Sequence, residues 1–193
     1  MSCMTKCLGR LCVTLKVIAL ITNLIALGLP YWYKGAAVET VGVNGSDNVK
    51  TTIREGLWKA CTDVEYLGNT NSYCVGNDAS TVVIVIRWLL MVASGIVGIA
   101  ILASGAAHLE SNKTAFIVGA IHAFISAALN ATSAALYATV VKDDIGFQLE
   151  HLFIGWGLNF LSMASGLLGG LLALCLARMV STAKVDDLDK DTE

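Results

Sequence analysis

The chain has 193 residues, 55% hydrophobic and only 15% charged, with a formal net charge of −2 and a mean hydropathy of +0.68. That is too apolar for an ordinary water-soluble domain, and no basic patch is present that would take nucleic acid as a partner. A bilayer core of roughly 30 Å calls for about 20 apolar residues in a helix, and four windows supply them, at 11–29, 82–103, 114–140 and 152–177.

The segment 1–10 carries Cys3 and Cys7 beside Lys6 and Arg10. Cysteines in this setting are candidates for palmitoylation, the alternative being free thiols in a reducing compartment. The window 11–29 reads as a retained helix rather than a signal peptide. It is too long for a typical leader core, no small-x-small cleavage site follows it, and Pro30-Tyr31-Trp32-Tyr33 reads as an interfacial aromatic end. Lys16, toward its cytosolic end, is expected to snorkel.

The connection 30–81 is polar and turns β-like. Ala37–Val43 partly alternates, Asn44-Gly45 is a hairpin-turn pair, and Asn48–Ile53 resumes extended character. Asn44-Gly45-Ser46 is also a glycosylation sequon, so Asn44 is a candidate acceptor. Cys61 and Cys74 are the only cysteines in the polar connections, and they can pair only in an oxidising compartment. A bridge closing a loop of that size is worth roughly 3 kcal/mol in the chain-entropy model, which matters for a sheet too small to own a core. The lysines and arginines orient the chain weakly. The sequon and the cysteines orient it better, with the long loop outside and both termini in the cytosol.

The window 82–103 holds Arg87 beside Trp88, below its outer end. A guanidinium there must find carbonyls or aromatic faces above it, and Gly56-Leu57-Trp58 is the obvious candidate. A cytosolic loop is expected over 104–113. The third window, 114–140, repeats a small residue every four positions: Ala115, Gly119, Ala123, Ala127, Ala131 and Ala135. Such a ridge lets helix backbones approach closely, either within the bundle or across a lateral dimer face. The second extracellular loop follows over 141–151, the fourth span over 152–177 and a cytosolic tail over 178–193, with Lys184–Glu193 read as a solvated, disordered end. Asn23, His122, Asn130 and Asn159 at membrane depth are expected to hydrogen-bond between helices, and Cys175 to pack as a small apolar residue. No nucleophile has a base at plausible spacing and no metal-ligand cluster is visible, so neither catalysis nor a cofactor or metal is expected. The expected fold class is a membrane α-helical, four-helix transmembrane bundle, one tetraspan domain over 1–193, with a small extracellular antiparallel β-sheet.

Trp32, then Gly56-Leu57-Trp58, then Cys61 and Cys74, resembles the W-GLW-C-C signature of the claudin superfamily. That superfamily also includes peripheral myelin proteins, epithelial membrane proteins and calcium-channel gamma subunits. The resemblance spans the whole chain. Arg87 resembles the family's arginine at the outer end of the second helix. Phe153-Ile154-Gly155-Trp156 resembles the aromatic-x-Gly-Trp that opens the fourth helix in claudins proper. The resemblance implies a five-stranded sheet, four strands from the first loop and one from the second, on a left-handed bundle, with Trp32, Trp58 and Arg87 as anchors. It further implies a multi-pass plasma-membrane protein of tight junctions that meets molecules of its family in cis and across cell contacts. Phe147 is the bulky candidate for self-association in the second loop. The chain ends Asp191-Thr192-Glu193 rather than in a hydrophobic residue, so no PDZ scaffold is expected.

Two functional expectations follow. One is a claudin-like junction protein contributing to adhesion and the paracellular barrier, or a cation-preferring paracellular pore. The other is an auxiliary subunit of a channel or receptor, or a myelin-protein-like tetraspan. For a pore, Asp63 and Glu65 alternate after Cys61 and would share a face of an extended strand, where carboxylates attract cations. An ordinary solvated acidic face is the competing reading.

Overall fold

The computed structural model describes residues 3–29, 31–35, 38–41, 48–66, 68–76, 80–145 and 154–190. Four helices, α1 (Cys3–Gly28), α2 (Thr81–Glu110), α3 (Lys113–Ile145) and α4 (Ile154–Lys190), enclose five strands in chain order: β1 (Tyr33–Lys34), β2 (Val38–Val41), β3 (Asn48–Glu55), β4 (Lys59–Tyr66) and β5 (Asn69–Gly76). All four helices are long and apolar enough to cross a membrane, over Met4–Gly28, Thr81–Glu110, Lys113–Thr139 and Ile154–Ser181. Each packs on its two neighbours, α1 on α2, α2 on α3, α3 on α4 and α4 on α1, which closes the bundle into a ring.

The bundle is apolar outward and partly polar inward. Ile21, Leu24, Ile99, Leu102, Ile125, Leu168 and Leu171 are exposed on the outer faces, where lipid chains would cover them. Inside, two apolar clusters sit at opposite ends. The cluster under the sheet gathers Ala26, Trp32, Leu57, Ile86, Leu90 and Tyr137. The far one gathers Cys12, Ala107, Phe116, Ala120, Ala173 and Leu176.

Between them runs a polar belt to which every helix contributes. Asn23 Nδ2 donates to Ser94 Oγ at 3.0 Å and to Leu90 O at 3.3 Å. Asn159 Nδ2 donates to Asn130 O, Asn130 Nδ2 to Ser162 Oγ, and Ser162 Oγ to Ala19 O. Lipid supplies no hydrophobic drive between helices, so small residues and such bonds hold them together. His122 departs from the expected interhelical role: its Nδ1 lies 2.8 Å from Val118 O, one turn back on its own helix.

Lys16 also departs from expectation. It does not snorkel but is fully buried. Its Nζ donates to Ser104 Oγ on α2 and, at 3.1 Å, to Gly119 O on α3. It lies more than a turn inside α1, with Gly169 of α4 leaving room for its methylenes. The inward route to hydroxyl and carbonyl acceptors replaces the outward one to water.

The four-residue ridge on α3 holds only in its middle. Gly119, Ala123 and Ala127 are buried, and Gly166 of α4 approaches Ala127 Cβ and Ala123 O, whereas Ala135 is exposed. A four-residue step overshoots one helical turn by about 40°, so the ridge winds away from the contact. Ser126, Asn130, Ser133, Ala134 and Tyr137 take its place toward the sheet.

Two boundaries differ from the sequence reading. The expected loop 104–113 shrinks to Ser111 and Asn112. Ser111 adopts a left-handed conformation (φ 53°) that caps α2. Asn112 Oδ1 then accepts the free backbone N–H groups of Thr114 and Ala115, starting α3 at once. At the other end α4 continues through Lys190, so the polar tail begins as helix.

The sheet is antiparallel throughout. β4 lies between β3 and β5, and β1 and β2 both pair with the outer side of β3. The register moves by one residue between them, from Lys34 opposite Arg54 to Val38 opposite Thr51. All five described strands therefore come from the first loop. β4 turns into β5 at Gly68, which has the positive φ of 78° that such a turn requires. α3 runs through Ile145, so the first part of the expected second loop 141–151 is helix; the rest of it, with Phe147, lies outside the described residues, as do Asn44-Gly45 and its sequon.

Candidate functional site: the sheet–bundle junction and the polar face of the sheet

Gly56-Leu57-Trp58 is the turn between β3 and β4, closed by Gly56 N donating to Lys59 O at 2.8 Å. It works by pointing three groups in different directions. The Leu57 side chain is fully buried in the outer cluster beside Trp32, Val83 and Ile86. The Leu57 carbonyl turns toward α2 and accepts from Arg87, from Nε at 2.8 Å and also from Nη2. The Trp58 ring stays partly exposed and lies under the same guanidinium, 4.5 Å from its centroid. One arginine, rising from α2, thus holds both the backbone and the ring of the turn.

Trp32 is the second anchor, and it is fully buried rather than at an open interface. Its Nε1 donates to Ala26 O at 2.6 Å, and its ring packs on Tyr137 at 4.9 Å. Its backbone N donates to Glu55 O at 2.9 Å, which joins the end of α1 to β3. Gly155 explains itself here. A Cβ at that position would lie 2.5 Å from Trp32 Cδ1 and 2.7 Å from Nε1. Its N–H donates to Tyr31 O at 2.8 Å, so the start of α4 is tied to the same corner. Trp156 donates from Nε1 to Ala134 O at 3.2 Å and packs on Phe160. Tyr137, which completes this corner, gave no signal in the sequence beyond being an aromatic at the end of a span.

Cys61 and Cys74 stand directly opposite each other on β4 and β5 and are joined by a disulfide. The bridge clasps the sheet's outermost strand, on which Tyr73 and Val75 are exposed. Cys7 is exposed and free; α1 begins at Cys3, whose side chain lies outside the described residues. Cys175, expected to be packed inside, is an exposed free thiol on the outer face of α4.

Asp63 and Glu65 do share a face, as alternation in β4 demands. They are not an open row of carboxylates. Asp63 forms an ion pair with Arg54 across the β3–β4 ladder and accepts from Ser72 Oγ at 2.6 Å. Glu65 stands directly opposite Lys50. The two acids, with Lys34, Lys50 and Arg54, line a shallow cleft of about 320 Å³ over which the cations outnumber the acids. Burial raises the Asp63 carboxyl pKa, but the Arg54 guanidinium, the Ser72 hydroxyl and Lys34 outweigh it and hold it below the ordinary range. The same hydrogen bond raises the Arg54 pKa. The Arg54 guanidinium also lies 4.7 Å from the Tyr31 ring centroid, which ties this face back to the junction. The arrangement arises because β3 places Lys50 directly opposite Glu65, and Arg54 on the same face two residues beyond Thr52, the partner of Asp63, which it reaches diagonally. No family model matches this chain, and no curated protein matches it in sequence.

Proposed function

We propose that this chain is a claudin-like cell–cell junction protein of the plasma membrane that contributes to adhesion and to the paracellular barrier. The observation that carries the reading is the mounting of the sheet. Arg87 holds Leu57 and Trp58, Trp32 is locked against Gly155 and Tyr137, and a disulfide clasps β4 to β5. A disulfide persists in an oxidising compartment, which supports an extracellular sheet and cytosolic termini. A sheet fastened to all sides of a bundle presents a fixed surface between two membranes, which adhesion requires. The ion pair of Asp63 with Arg54, and Lys50 standing opposite Glu65, support a barrier rather than a cation-preferring path.

That same pairing favours, as the second reading, an auxiliary subunit of a channel or receptor, whose sheet would dock on another protein rather than line an ion path. Expression in cells lacking junction strands separates the two. Enrichment at contacts between two expressing cells, with lowered transepithelial conductance, is the expected result. Uniform surface delivery without contact enrichment would overturn the junctional reading and leave the auxiliary one.

A further inference from the structure

At the end of the bundle opposite the sheet, α3 and α4 part to leave an open cleft of about 480 Å³. Its deep wall is hydrocarbon, from Ile117, Leu171 and Leu174, and its mouth carries Lys113 and Arg178, with Cys175 between. Lys113 is the first residue of the third span, and Arg178 lies just inside the end of the fourth at Ser181. The cations therefore stand at headgroup depth and the apolar wall at acyl-chain depth. Lys113 Nζ donates to Ser181 Oγ at 3.1 Å, which holds the ammonium across the cleft toward α4.

A surface that only faced bulk lipid would need neither the recess nor the cations, because any chain covers a smooth apolar helix. Two cations from different helices, above a recess with room for the start of an acyl chain, match one chemistry: a phosphodiester with net negative charge and a hydrocarbon tail. We propose that this cleft binds one anionic phospholipid, its phosphate between Lys113 and Arg178 and an acyl chain on Ile117, Leu171 and Leu174. The end opposite a disulfide-bonded sheet faces the cytosol on the reading above, where the leaflet is rich in anionic lipid. Only the choice of leaflet rests on that reading; the affinity of the cleft does not.

The test is native mass spectrometry of the full chain, delipidated in detergent and treated with hydroxylamine so that no thioester-linked acyl chain on Cys175 occupies the cleft. It is titrated with phosphatidylserine or phosphatidylcholine of identical chains. A basic residue near the surface favours anionic lipid by about fivefold, so the first phosphatidylserine should bind up to roughly thirtyfold more tightly. Lys113→Gln with Arg178→Gln should abolish that preference, whereas Lys6→Gln with Arg10→Gln, near the same end of the bundle on α1, should leave it. Leu174→Trp, on an exposed wall position, should weaken both lipids, and soluble glycerophosphoserine should not compete. Equal binding of the two lipids overturns the proposal. So does a preference that survives the paired substitution at 113 and 178, or one lost equally in the pair at 6 and 10. Circular dichroism of each variant shows that it is folded, and the result does not depend on whether the protein reaches cell contacts.

Discussion

Gly155→Ala and Gly157→Ala should move stability in opposite directions, although both glycines lie in the first turn of α4. At Gly155 the new methyl would sit 2.5 Å from Trp32 Cδ1 and 2.7 Å from Nε1. The ring cannot simply swing away. It is fully buried, packs on Tyr137 at 4.9 Å, and donates from Nε1 to Ala26 O at 2.6 Å. Forcing it aside costs about 1–3 kcal/mol for overpacking. If the indole N–H loses Ala26 O, a buried donor left alone adds about 1–3 kcal/mol. Replacing glycine in a helix returns at most about 1 kcal/mol, so the net loss is roughly 0–2 kcal/mol if that bond survives and roughly 1–5 kcal/mol if it breaks. At Gly157 nothing lies within 4 Å of the added carbon, so only the propensity gain remains. Thermal unfolding in detergent, followed by tryptophan fluorescence, measures both. Equal midpoints for the two variants would refute the claim that Gly155 exists to admit Trp32.

Arg87→Ala should destabilise the junction by about 1–3 kcal/mol, because the Leu57 carbonyl loses both Arg87 donors; Arg87→Lys should recover only part, lacking the planar fork, as read by surface delivery and detergent melting. Ala127→Leu should cost about 1–3 kcal/mol by overpacking against Gly166, while Ala135→Leu on the exposed end of the same ridge should be tolerated in the same melt. Ser104→Ala, which removes an acceptor from the buried Lys16 amine, should lose about 1–3 kcal/mol, whereas Lys16→Met should be neutral or stabilising because the amine itself is gone. The depressed Asp63 pKa means that its contribution is fully present above the ordinary carboxylate value of 3.8 and is lost as pH falls through the folded value; an Asp63→Asn variant should show a shallower acid limb in a pH series of sheet unfolding.

The sequence carried the spans, the disulfide partners and the region of the turn, because each rests on a local signal: hydropathy over a window, cysteines outside it, a glycine before an aromatic. It carried less of what depends on register. Asp63 and Glu65 could be placed on one face by alternation alone, yet whether they are open or paired depends on which residues of β3 stand opposite. That was set by a hairpin whose turn, Gly56-Leu57-Trp58, could be seen while its register could not. The α3 ridge shows the same limit. Spacing by four identifies small residues but hides the slow rotation that takes Ala135 out of the contact. Lys16 failed for another reason: snorkelling is the default for a lysine near a membrane surface, and nothing in α1 alone reveals acceptors on α2 and α3.

The junction and the polar belt divide the work of holding this molecule together, and the division bears on how the sheet is carried. Interhelical bonds in the belt run from Asn23, Asn130, Asn159 and Ser162 to neighbours on other helices. They set the helices relative to each other but do not reach the sheet. The sheet is held instead by main-chain acceptors and donors: Leu57 O for Arg87, Glu55 O for Trp32 N, Tyr31 O for Gly155 N. These contacts draw on the connection after α1, on α2 and on α4. A shift of α1, α2 or α4 at its outer end must therefore break a backbone bond at the sheet or carry the sheet with it. The backbone bonds of the mount do not depend on which outward side chains β3, β4 and β5 carry, whereas Arg54 and Asp63 keep a structural role as an ion pair. A chain built this way can change its extracellular face by substitution while keeping its mount, provided that Gly155, Trp32, Leu57 and Arg87 stay in place.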